Sequence, residues 1–187
     1  MRVTIATLLI LGALAVPSWA DAPFPVIGKT APDFTLTSQQ GQPVRLRQFR
    51  GRLVLLNFIY TNCVDVCPIT TASLQRVQQE LIARRKWGSD VVFVSVTTDP
   101  ARDTPALLRR YAQRYRADPK GWYFLTGTPA NVRKVHAAYG IAVRPRGKGL
   151  QEHHLPTFVI DRAGTVLGAY GANPNPRDVL SDLEHLQ

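Results

Sequence analysis

Leu53 to Tyr60 is an apolar, largely branched stretch that runs directly into Thr61-Asn62-Cys63-Val64-Asp65-Val66-Cys67-Pro68. A run of that length reads as a core strand. Beyond Pro68, the residues Leu74, Val77 and Leu81 recur at helical spacing. The strand therefore delivers two thiols into a turn at which the next helix begins, the place where an α/β fold presents reactive groups. Cys63 and Cys67 are the only cysteines among 187 residues. The partial positive charge of a helix N-terminus favours thiolate over thiol. Thiolate is the form that binds soft metals and exchanges disulfides. Taken alone, two cysteines four positions apart also fit an inert disulfide or two small buried hydrophobes.

The rest of the chain builds a scaffold around this turn. Asp33 to Thr37 alternates as a strand, and Gln40-Gly41-Gln42 turns it back into Val44-Arg45-Leu46, which predicts an N-terminal β-hairpin. After the cysteines a helix is expected to stop at Gly88, followed by a second apolar strand over 91–98. Asp99 to Thr104 reads as a turn and cap, with Pro105 opening a helix lined by Leu108, Tyr111 and Tyr115. A strand over 122–125 and a helix from Thr128 to Gly140 come next. Ile141 to Gln151, with Pro145, Gly147 and Gly149, reads as a loop. Strands over 157–160 and 165–170 flank an Asp161–Gly164 turn, and Asn175 caps a final helix. The order ββ, βαβαβα, ββα predicts an α/β chain with a thioredoxin-like fold, a central mixed sheet flanked by helices. No internal repeat or domain linker interrupts it.

Residues 1–20 read as a targeting segment: Arg2, then an apolar stretch from Val3 to Val16, then Ser18-Trp19-Ala20 at the positions a signal peptidase inspects. An uncleaved anchor is the alternative, although the apolar run is shorter than the roughly 20 residues that span a bilayer. Residues 21–187 then form one exported, periplasmic or periplasm-facing domain. The net charge is +10, with basic residues scattered and no helix carrying a basic stripe interleaved with aromatics. That argues against nucleic acid as a partner. It suits a solvated basic surface, an acidic protein partner or an anionic membrane surface.

Of four histidines, His185 belongs to the surface near the terminus and His136 to the flank of an amphipathic helix. His153 and His154 differ, because they close a long loop just before a core strand. In a thioredoxin-like sheet that strand neighbours the one leading to the cysteines, so an imidazole there could face both thiols.

With Asn57-Phe58-Ile59-Tyr60 running into TNCVDVCP, Ser95-Val96-Thr97-Thr98-Asp99-Pro100-Ala101-Arg102-Asp103-Thr104-Pro105, and a histidine before a strand, the chain from about Pro32 to Gln187 resembles the Sco (SenC) copper chaperones. That resemblance implies a thioredoxin-like fold and a part in assembling the binuclear copper centre of cytochrome c oxidase. It implies copper, Cu(I) or Cu(II), held by Cys63, Cys67 and one histidine. The family's histidine stands eleven residues before the glycine of the following turn. Counting back from Gly164 selects His153, with His154 as second choice. Departures from the pattern are Val64 for the usual proline, Glu152 for the usual aspartate, His154 for a serine or threonine, and Pro156-Thr157. None removes a donor.

Two thiolates and an imidazole suit Cu(I), which is soft and accepts low coordination numbers. The same thiols, Cys63 and Cys67, would serve a thiol-disulfide oxidoreductase that reduces the cysteines of a copper acceptor. A standard redox motif has two residues between its cysteines, whereas this chain has three. A peroxidase lacks its dedicated motif here, and structural zinc would want four closed ligands. Asp65 reads as a turn-former or supporting residue. The expected partners are the copper-accepting subunit of the oxidase, or another cuproprotein, and a thiol reductant. Met1 is the sole methionine, so the mature chain has no methionine-rich copper surface.

Overall fold

The computed structural model describes residues 24–147, 150–153 and 155–186; for Pro145, Glu152 and His153 it describes the backbone alone. The targeting segment over 1–20 and His154 lie outside the described residues. Two parallel strands, β3 (Leu53–Ile59) and β4 (Val91–Thr97), pair in register from Leu53↔Val91 to Ile59↔Thr97. Every residue of both is buried, which is why their sequences are largely apolar and do not alternate, the buried Asn57 and Ser95 bonding each other across the pair. The expected hairpin is β1 (Thr35–Ser38) with β2 (Pro43–Arg45). The remaining strands of the sheet are β5 (Trp122–Thr126), β8 (Thr157–Ile160) and β9 (Val166–Tyr170). The seven form one mixed sheet in the order β2-β1-β5-β4-β3-β8-β9, the thioredoxin-like architecture expected.

The hairpin joins that sheet along β5, antiparallel, with Thr37 opposite Thr126. The Gln39 amide extends the junction, donating to the Trp122 carbonyl at 2.9 Å and accepting from the Phe124 N–H at 2.9 Å. Both βαβ crossovers step the same way across the sheet, and right-handed connections place their helices on one face. These are α1 (Val66–Ala83) and α2 (Pro105–Arg114), joined there by α4 (Pro176–His185). On that side Phe93 and Trp122 meet edge to face at 5.1 Å, and Tyr111 of α2 lies 5.9 Å from Phe124. On the opposite face α3 (Pro129–Tyr139) sets His136 and Tyr139 against Phe58 at 5.8 and 6.1 Å. Truncation of a buried phenylalanine such as Phe58 to alanine costs about 3–5 kcal/mol.

Three helices start by the same chemistry. Thr104, Thr128 and Asn175 each accept a backbone N–H from the first turn, and each precedes a proline. Two expectations need correction. Helix α1 ends at Ala83 and does not continue to Gly88. Arg85 takes the left-handed conformation, φ 56°, so that the Arg85 and Lys86 N–H groups bond back to Ile82 and Leu81. The second correction concerns Ile141–Gln151, which is not a simple loop. It contributes to an antiparallel ribbon of β6 (Val143–Pro145) and β7 (Gln151–His153), separate from the main sheet. Gly147, with φ +74°, allows the chain to turn back between the two strands.

Candidate metal centre

Strand β3 ends at Ile59, and α1 begins at Val66. The intervening turn is fixed locally at both ends. Cys63 N–H donates to the Tyr60 carbonyl at 3.2 Å, and the Asp65 carboxylate caps α1 by accepting the Val66 N–H. Cys67 then falls in the first turn of α1, where its N–H has no helical acceptor of its own. It points at Cys63 Sγ, 3.4 Å away. Neither cysteine is disulfide-bonded and both are buried, with Cys63 7% and Cys67 1% exposed. The Cys63 thiol also lies 3.8 Å from Asp65 Oδ1 as donor.

This crowding governs protonation. The hydrogen bond with Cys63 pushes the Cys67 thiol up, and burial and the charge of Cys63 add to it. A soft metal ion held by Cys63 and Cys67 would supply the positive charge that offsets this penalty, since metal binding displaces thiol protons. The surroundings share that charge pattern. Tyr60 is pushed up to about 12, mainly by burial, with the negative charges of Cys63 and Cys67 contributing and the Gln151 backbone N–H opposing. Thr71 donates to the Cys67 carbonyl at 2.7 Å, which leaves the Tyr111 hydroxyl as the donor in its 2.8 Å contact with Thr71. Burial raises Tyr111 as well.

A second network holds the start of the turn. Asp103, 1% exposed, accepts from the Thr61 N–H at 3.2 Å, from the Thr61 hydroxyl at 2.5 Å and from the Thr97 hydroxyl. Burial pushes its carboxyl up, and those hydrogen bonds from Thr61 and Thr97 pull it back. Asp103 thus ties the end of β4 to the residue two positions before Cys63. Sequence reasoning placed Asp103 in a turn and missed this role. The available signal was a carboxylate in the segment leaving β4, beside the strand that leads to the thiols.

The histidines divide as expected for two of them. His136 is buried, its Nε2 donating to the Thr97 carbonyl at 3.0 Å, and burial pushes its imidazole below the ordinary value. His185 is exposed and bonds Ser181 on its own helix. His153 closes β7 with its backbone opposite Val143, while its second choice, His154, lies outside the described residues. Among the described residues no cluster of three His, Cys, Asp or Glu side chains is set to hold a metal. The backbone around His153 is nevertheless pinned on both sides. Before it, Gln151 N–H donates to the Tyr60 hydroxyl at 3.3 Å, while the Gln151 amide accepts from the Thr98 hydroxyl at 2.6 Å and donates to the Thr98 carbonyl at 3.2 Å. After it, Leu155 is buried and Thr157 pairs with Asn57 of β3. Both anchors lie at the end of β3 that feeds the cysteines.

Fold and site define a thioredoxin-like domain with a dithiol at the N-terminus of its first helix. The SCO1/SenC family model matches residues 27–187. The chain belongs to that family. The "SCO1 protein homolog" of Bacillus subtilis is 31% identical over 156 residues, covering 81% of this chain and 79% of that protein. The solved structure of Bradyrhizobium japonicum ScoI with copper bound superposes with a TM-score of 0.69 at 27% identity, covering 84% of this chain and 99% of the other. BsSco, described with a disulfide switch as a member of the Sco family of cytochrome c oxidase assembly proteins, gives a TM-score of 0.72 at 29% identity, covering 84% and 92%.

Proposed function

We propose that this chain is an exported copper chaperone that carries Cu(I) on Cys63, Cys67 and His153. The observation that carries this reading is the adjacency of the two unbridged cysteines at the start of α1, with the Cys67 backbone nitrogen 3.4 Å from Cys63 Sγ. The pinned backbone on both sides of His153 supports it as third donor, and the copper-bound relative supports the metal. The acceptor is the copper-receiving subunit of cytochrome c oxidase or a similar exported cuproprotein. Transfer proceeds by ligand exchange, the acceptor's thiols replacing those of the chaperone one at a time, with no change in copper oxidation state. Residues 1–20 act as a signal or retained anchor and residues 21–187 as the working domain, at or near a periplasmic membrane surface. No helix among the described residues is long and apolar enough to cross a membrane.

The test is Cu(I) titration of the reduced, leaderless protein against a chromophoric chelator, with Cys63→Ser, His153→Ala and His154→Ala beside it. One copper per chain, lost in the cysteine variant and weakened in His153→Ala alone, is the expected result. Equal affinity in all four proteins overturns the donor set.

The second reading, reduction of the acceptor's disulfide, is favoured by the same thiol adjacency and by the disulfide switch described for BsSco. There the two thiols become a Cys63–Cys67 disulfide, two electrons and two protons pass to the acceptor's cysteines, and a thiol reductant resets the pair. Turnover of a disulfide substrate by a protein that fails to retain copper would favour that reading.

A further inference from the structure

Beside the cysteine turn, on the α2 side, lies a groove of about 570 Å³ that the proposed copper chemistry does not use. Its walls include Thr61 and Asn62, which immediately precede Cys63, together with Tyr111 and the side chains of Arg102, Arg110 and Arg114. No acidic residue lines it. Arg102 is oriented by Asp99 at 2.6 Å. Arg110 and Arg114, one turn apart on α2, are exposed and have no acidic partner among the described residues. Three arginines therefore line one concavity, and two of them lack a counter-charge among the described residues. Like charges so placed repel one another and are relieved by carboxylates, which guanidinium groups bind in a bidentate manner.

We propose that this groove receives an acidic segment of the protein that exchanges ligands with Cys63 and Cys67. The groove is continuous with the turn through Thr61 and Asn62, and its Tyr111 reaches Cys67 by way of Thr71. A chain seated there enters within a few residues of the thiols. Apolar contact is available from Leu107 in the groove, and nearby from Val64 on the turn and Ile69 near the start of α1, which are 79% and 51% exposed. A concave site with an aromatic wall suits a peptide better than a flat lipid surface. Single exposed ion pairs contribute little. Several acting together raise the encounter rate and fix the approach direction. This inference rests on the reading that a protein partner meets the cysteine pair, though not on the metal involved.

The experiment measures binding of two synthetic peptides of about 16 residues, one rich in Glu and Asp, the other carrying Gln and Asn at the same positions. Both lack cysteine, so neither copper nor disulfide chemistry enters. Titrations use the reduced wild type, the Arg110→Gln/Arg114→Gln variant and an Arg133→Gln/Lys134→Gln variant on α3, which removes the same charge elsewhere. The wild type is expected to prefer the acidic peptide by about tenfold or more at low salt, with the preference falling as salt rises. The groove variant should lose that preference, and the α3 variant should retain it. Equal loss in both variants, or no preference in the wild type, overturns the proposal. Binding to anionic phospholipid vesicles that depends on Arg110 and Arg114, without peptide binding, overturns it in favour of a membrane. A Cu(I) titration of the groove variant separates the two readings: unchanged copper affinity with lost peptide binding is the expected result, whereas a copper site that fails in wild type leaves the peptide result standing.

Discussion

The cysteine turn and the β6–β7 ribbon flank the same site but are held by different means. The turn is welded to the sheet: Asp103, buried beneath it, takes three hydrogen bonds from Thr61 and Thr97, and Cys67 lies in the first turn of a long helix with one face buried. The ribbon is two short strands outside the main sheet, and Gln151 ties its base to Tyr60 and Thr98. A two-stranded ribbon alone is marginal in water. The thiol pair is thus preformed, whereas the proposed third donor is delivered by an element whose position depends on a few polar contacts. Such an arrangement suits a carrier, which must hold its cargo and then let one side of the site yield.

Asp103→Ala should produce the largest effect. It removes the acceptor of three donors, Thr97 buried and Thr61 partly so, and a loss of about 3 kcal/mol in urea unfolding is expected, with faster thiol labelling at Cys63. Wild-type stability in that variant would mean that the turn is not held from below. Gln151→Ala should show the opposite profile: Cu(I) affinity weakened about tenfold, as for other groups that orient a metal ligand, with an unfolding midpoint close to wild type. If it unfolds the protein as Asp103→Ala does, the contrast between the two regions fails. Gly147→Ala is smaller again. Its φ of +74° penalises a side chain although nothing lies within 4 Å, so roughly 1 kcal/mol of strain should fall on the ribbon, visible as faster amide exchange over 143–153. The smallest effect is a pH dependence outside both regions. Burial lowers His136 below its ordinary value near 6.5, so the unfolded chain binds the proton first. Stability is complete above pH of about 6.5 and declines as pH falls from there toward the folded value. His136→Phe, measured by urea titration across that window, should flatten the slope.

What the amino-acid sequence discloses follows the same division. The strand, turn and helix around Cys63 and Cys67 are local, and Leu53–Tyr60, Pro68 and the spacing of Leu74, Val77 and Leu81 declare them directly. Caps at Thr104, Thr128 and Asn175 are equally local and appear where expected. Contacts between distant segments left weaker traces. The bond from Asp103 to Thr61 spans 42 positions, and no periodicity encodes it. The ribbon was concealed because Pro145 and Gly147, which close a turn between strands, are the residues that ordinarily mark an irregular loop. Helix α1 ended early for a similar reason: Arg85 adopts the left-handed conformation normally left to glycine, and residue type carried no warning.

The pairing of Thr157 with Asn57 joins residues one hundred positions apart. The thiol turn is complete once β3, α1, β4 and the segment through Asp103 are in place, whereas the ribbon reaches it once β8 has docked on β3. Contacts across so long a span form late, because the chain between them must first be closed into a loop. A chain that folds in this order forms its dithiol turn before the ribbon is in place beside it. During that interval the two sulfurs lack the cover of the last strands, and oxidation of the pair is easiest then.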